Sequence, residues 1–227
     1  MSLVEWTEPQ DNDFGVDHLG MRVAGERAYS ALIDFTTTVT WRPRYLSYLC
    51  WSLRKAWRDC GGTPSMERVE VDRRLWRRML KRRDFILAGA TLSVDRRADH
   101  IAGSRKLNKA LDAMGHDPEA ALTVATDHLV ASTGSHAIYL GILRVLGLVV
   151  STQGIDIPSP KGEVLAEAFE ASLSRSEIAS TFDRDTVVRG ALEKLGEVCG
   201  LSHLPSAADA MPQAAAERHK LREQIVA

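Results

Sequence analysis

Residues 135–169 read SHAIYLGILRVLGLVVSTQGIDIPSPKGEVLAEAF, and the order of residue types along them predicts helix, short strand, turn, short strand, helix. Ser135 to Leu146 carries apolar residues at helical spacing and stops at Gly147. Two short runs rich in β-branched residues follow, Leu148 to Val150 and Ile155 to Ile157, separated by the polar tip Ser151-Thr152-Gln153-Gly154. Pro160 and Gly162 close the second run, and Glu163 to Leu173 returns to helix.

Outside this unit the periodic segments are helical. Met21, Ala24, Ala28, Ala31, Leu32 and Phe35 predict a helix over 19–35, ended by the threonine-rich run Thr36 to Thr40, which disfavours helix. Arg44 to Asp59 carries Tyr45, Leu46, Tyr48, Leu49, Trp51, Leu53 and Trp57 on several sides, so it is expected to lie centrally and to stop at Gly61-Gly62. A third helix is expected from an N-cap at Ser65, with the apolar stripe Val71, Leu75, Trp76, Met79, Leu80, Ile86 and Leu87. Further helices are predicted over 98–114 with Leu107, Leu111 and Met114 inward and Gly115 as the stop, over 119–131 after Pro118, over 185–199 and over 211–226. The last of these reaches Ala227 with no stop signal, which predicts a longer protein. The expected architecture is mainly α: a helical domain over 1–116, a helix–hairpin–helix unit over 117–175, and an incomplete helical region over 176–227.

A chain of 227 residues that is 44% hydrophobic and 26% charged can bury a substantial core. Its apolar stretches, among them Leu146 to Val150, are far below the roughly 20 residues that cross a bilayer, so no membrane association is expected. The opening residues MSLVEW have neither the basic start nor the apolar run of a secretory signal, and a cytoplasmic location follows as an expectation. Cys50, Cys60 and Cys199 form no CxxC pair and are expected to be small buried or half-buried thiols. The charge is strongly polarised. Between Arg42 and Lys109 there are 18 Lys/Arg against 7 Asp/Glu, a surplus of +11, which leaves −12 on the remainder of a chain whose net charge is −1.

Two stretches resemble known proteins. Tyr139 to Val149 followed by Ser159 to Ala166 resembles the second half of a winged helix-turn-helix, in which a helix ends in a Leu-Gly-Leu turn, a hairpin wing follows and a Ser-Pro-Lys-Gly turn leads into the last helix. The resemblance covers about 40 residues and implies that Ser135 to Leu146 is the recognition helix. Gly25 to Ser30 with Arg42 to Trp51 is similar to the start of poorly characterised bacterial proteins, some of them encoded among anti-phage defence genes and all longer than this chain.

The sharpest chemical pattern lies on the third expected helix. Arg74, Arg77, Arg78, Lys81 and Arg82 are related by steps of three and four and form one basic face opposite the apolar stripe. Arg105, Lys106 and Lys109 extend a similar face on the next helix. Guanidinium and ammonium groups at this spacing suit a phosphate backbone, which takes charge without demanding sequence. The competing readings are a solvated face, or arginines that pair with the acidic remainder of the same chain or of a partner. The expected recognition helix offers little to a groove: Ser135, His136 and Tyr139 are polar or amphipathic, Arg144 is its one charge, and the wing adds only Thr152, Gln153 and the nearby Lys161. A packing or dimerisation role is therefore expected for this unit.

Catalytic and metal-binding patterns are absent from the sequence. His18, His100, His116, His128, His136, His203 and His219 are scattered with no metal-ligand spacing, and there is no phosphate loop, nucleophile elbow or dinucleotide fingerprint. Asp127 and His128 are neighbours, which on a helix diverge by about 100°. Trp41, Tyr45, Tyr48, Trp51 and Trp57 read as core rather than as a base-stacking platform. The expected function is that of a non-enzymatic nucleic-acid-binding component with no cofactor, placed by the second resemblance in a bacterial anti-phage system. The alternative is a protein-interaction or scaffold subunit that docks an acidic partner on the same basic face.

Overall fold

The structure, a computed structural model, describes residues 44–61, 72–98, 101, 103–124, 134–152, 154–173 and 176–201, and all but 218 and 222 of residues 216–224. The segments 19–35 and 36–40, the N-cap expected at Ser65 and the pair Asp127-His128 lie outside the described residues. In chain order the elements are α1 (Arg44–Asp59), α2 (Arg73–Val94), α3 (Ser104–Ala113), β1 (Ala121–Thr123), α4 (Gly134–Val145), β2 (Val149–Thr152), β3 (Ile155–Pro158), α5 (Pro160–Ser172), the short α6 (Ser176–Ser180) with a 3-10 turn Thr181–Asp183, β4 (Thr186–Val188) and α7 (Arg189–Cys199). Among the described residues helix dominates, as composition and periodicity lead one to expect, with two small antiparallel sheets. Among the described residues no helix is long and apolar enough to cross a membrane.

Helix α1 is the hub. Tyr45, Tyr48, Leu49, Trp51 and Leu53 are all buried, and Tyr48 and Trp51 pack against Phe169 of α5 and Phe182 of the 3-10 turn. An aromatic helix buried on most sides can stand only at the centre of a layered packing, and α1 is covered chiefly by α5, with α2 and α4 beside it. The other extensive pairing is α2 with α7, and it depends on Gly196: a Cβ there would collide with the Ala90 carbonyl oxygen. Among the described residues one hydrophobic core runs from α1 to α7.

The helix–hairpin–helix unit is present. Strands β2 and β3 pair antiparallel from Val149 opposite Pro158 to Thr152 opposite Ile155, and Gly154 takes the left-handed conformation (φ 76°) that the tight tip requires. The entrance to α5 is built by Ser159, whose hydroxyl accepts from Gly162 N at 3.2 Å and donates to the Gly147 carbonyl at 2.6 Å. Pro160 is therefore the first residue of the helix rather than the end of the strand, as fits its fixed φ and missing N–H.

Five expectations need correction. The helix over 119–131 does not form at its start: Ala121–Thr123 is a strand paired with Thr186–Val188, whose helix begins only at Arg189. The helix expected from 98 starts at Ser104, after Gly103 in the left-handed region (φ 77°). Helix α2 is capped by Asp72, which accepts from Arg74 N at 2.8 Å and Leu75 N at 3.2 Å, and it runs on to Val94. Leu75 is not in the apolar stripe but 40% exposed; Trp76, Leu80, Ile86 and Leu87 carry that face, with Met79 half-buried.

Candidate nucleic-acid interface

The first half of α2 presents four of its cations on one solvent-facing side. At about 100° per residue Arg77, Lys81, Arg74 and Arg78 fall within an arc of about 100°, while Trp76 and Leu80 point the other way into the core. Arg74, Arg77 and Arg78 are exposed and Lys81 is partly so, and none of the four forms an ion pair with a described residue. Asp72, at the cap, is the nearest acid on the helix itself, and its carboxylate is engaged by two backbone N–H groups.

The fifth member of the expected face behaves differently. Arg82 is turned onto the segment before β4, where it reaches Asp185 at 3.0 Å, the Arg184 carbonyl at 3.1 Å and the Asp183 carbonyl. Arg83, absent from the expected site, is 2% exposed and donates to Asp59, to Asp183 at 3.3 Å and to the Ser52 carbonyl at 3.2 Å. Its position was readable: Arg83 lies three residues after Leu80 and seven after Trp76, on the buried stripe itself.

On α3, Leu107 and Leu111 are buried while Arg105, Lys106 and Lys109 are exposed. Leu107 Cδ2 lies 3.1 Å from the position a Cβ would take on Gly89 of α2. Gly89 shares the side of α2 that carries Arg74 and Arg78, so α3 stands on that side, about 16 Å further along the α2 axis than Arg78. Structure thus brings the two expected clusters to one side of α2 and removes Arg82 from between them.

The expected recognition helix faces inward. Ser135 and Tyr139 of α4 are buried, and Tyr139 stacks on Tyr45 with ring centroids 4.7 Å apart. His136 packs edge-on against Trp76 at 5.2 Å, and its Nε2 lies 3.4 Å from Asp156 Oδ2 without hydrogen-bond geometry. Burial lowers the His136 pKa below 6.5, against the pull of Asp156, so the ring is neutral at neutral pH. Arg144, 51% exposed, donates to Asp156 Oδ1 at 2.8 Å. The hairpin tip meets α2: the Arg73 guanidinium lies 2.9 Å from the position of a Cβ on Gly154. Lys161 is exposed at the start of α5, Thr152 is half-buried, and Gln153 lies outside the described residues.

The acidic remainder of the chain has an internal use. Arg44, 1% exposed, holds Glu217 at 2.9 Å and donates to the Val198 and Gly200 carbonyls, while Ser47 donates to Glu217 at 2.5 Å. Arg54 bridges Glu163 at 3.1 Å and Glu170 at 2.5 Å on α5, and Lys55 reaches Asp183 at 3.1 Å. These pairs span up to 173 residues of sequence, beyond any local signal. The thiols are free, and burial pushes Cys50 and Cys199 up to about 12, which leaves both unreactive as nucleophiles. No family model, curated protein or solved structure matches this chain.

Proposed function

We propose that the protein is a nucleic-acid-binding component that grips the phosphate backbone through the exposed cations of α2 and α3, without reading base sequence. The observation that carries this reading is the division of the arginines. Arg44, Arg54, Arg82 and Arg83 are taken up by acids and carbonyls of the chain itself, whereas Arg74, Arg77, Arg78, Lys81, Arg105 and Lys109 have no ion-pair partner among the described residues. A surplus left over after internal pairing needs an external anion or solvent, and its regular spacing favours a polyanion. The inward-facing α4 supports the second half of the reading, since Ser135 and Tyr139 cannot reach a groove. The winged-helix-like unit serves here as a packing module. Membership of an anti-phage system rests on the likeness at Gly25 to Ser30 and Arg42 to Trp51.

Salt titration of nucleic-acid binding tests the proposal. With six cations engaged on a duplex, the slope of log K against log salt is expected to be about −5.4. Reversal of Arg74, Arg77 and Arg78 to Glu should abolish binding. No binding at low salt, or a stoichiometric acidic protein that stays on the basic face of the purified chain after nuclease treatment, would replace this reading with that of an interaction subunit.

A further inference from the structure

On the reading just given, we infer that the occupant of the α2–α3 face is duplex DNA, held at two separated places, rather than a single strand. Three features carry the inference. The cations form two clusters instead of one continuous track, because Arg82, which would join them, is tied to Asp185 and to the Asp183 and Arg184 carbonyls. The clusters are fixed relative to each other, because α3 is seated on α2 through Leu107 against Gly89.

The offset of about 16 Å along α2 from Arg78 to Gly89, on which α3 is seated, is of the order of the roughly 12 Å width of the B-DNA major groove, so two strands of one duplex can meet both clusters. A duplex is stiff over this distance and presents that span at no cost in chain entropy. A single strand would have to be ordered across the gap where Arg82 is held by Asp185, and its usual reward is base stacking on exposed aromatic rings. The rings nearest the face do not offer this: Trp76, Tyr45, Tyr48 and Trp51 are all buried.

The test compares a 20-base-pair duplex with the same sequence as a single strand, at several salt concentrations, for the unmodified chain and for the double variant Arg105→Gln, Lys109→Gln. Both positions are exposed, and circular dichroism checks that the variant folds. The unmodified chain is expected to bind duplex at least about tenfold more tightly. The double variant should bring the duplex slope from about −5.4 to about −3.6. Equal or tighter binding of the single strand, or a duplex slope that the variant does not move, overturns the two-point duplex inference while the basic-face reading stands. Absence of binding to both forms overturns the two together.

Discussion

Asp84 is a carboxylate buried on the inner side of α2, where it accepts from the Tyr48 hydroxyl at 2.9 Å and from the Ser135 backbone N–H at 2.8 Å. It therefore caps the first turn of α4 from another helix, a role that neither α2 nor α4 reveals by its own sequence. Burial raises its pKa above the ordinary 3.8 despite these donors. It also keeps the Tyr48 hydroxyl protonated, since burial and the adjacent Asp84 both raise that group. With the folded value above the unfolded one, folding takes up a proton between them, so this group's contribution to stability falls as pH rises from 3.8 through the raised value. Replacing Asp84 with Ala should remove that slope from urea unfolding midpoints measured across the window. It should also cost about 2–4 kcal/mol at neutral pH, because two buried donors lose their acceptor. A variant that keeps the slope would place the titration on another group.

Packing between helices makes a second kind of demand, visible in two glycines that share a helical setting and differ in surroundings. On α7, a Cβ at Gly196 would overlap the Ala90 carbonyl oxygen of α2, whereas at Gly141 on α4 nothing lies within 4 Å. Gly141→Ala should stabilise by about 0.5–1 kcal/mol through the helix preference alone. Gly196→Ala should destabilise by about 1–3 kcal/mol, since α2 and α7 must move apart; thermal unfolding of the two variants reads the opposite signs. The same distinction between local and distant causes explains what the sequence could disclose. The hairpin was legible because Val149–Thr152, Gly154 and Ile155–Pro158 carry it within ten residues, and so was the basic stripe, which is a matter of spacing along one helix. Strand β1 was not. Glu119, Ala120 and Ala121 suit a helix, and the partner that makes Ala121–Thr123 a strand is Thr186–Val188, more than sixty residues on. Nor could spacing separate Arg78 from Arg82, one turn apart on the same helix, when the difference is Asp183 and Asp185 a hundred residues later.

Among the described residues, basic and acidic side chains far apart in sequence are brought together, with Arg44, Arg54, Lys55, Arg82 and Arg83 meeting Glu217, Glu163, Glu170, Asp183 and Asp185. This pairing binds the ends of the described chain together, since the Arg44–Glu217 bridge joins α1 to the helical residues around 217 with both partners fully buried. It also implies that two populations of arginine should respond very differently to substitution. Replacing Arg44 with Met strands the Glu217 carboxylate at 0% exposure with only Ser47 to satisfy it, and loss of one partner of a buried pair costs about 3–5 kcal/mol. Reversing Arg74, Arg77 and Arg78 to Glu changes three charges to that variant's one, yet each lies on the surface without a described ion-pair partner, where substitutions stay within about 0.5 kcal/mol. Acids near the start of α2 also gain from the helix dipole. Urea unfolding should therefore show a large loss of midpoint for Arg44→Met and little change for the triple variant, while nucleic-acid binding vanishes in the triple variant. A triple variant that unfolds would mean that the stripe, too, is held by the acidic part of the chain, and the surface would then have no charge to offer a polyanion.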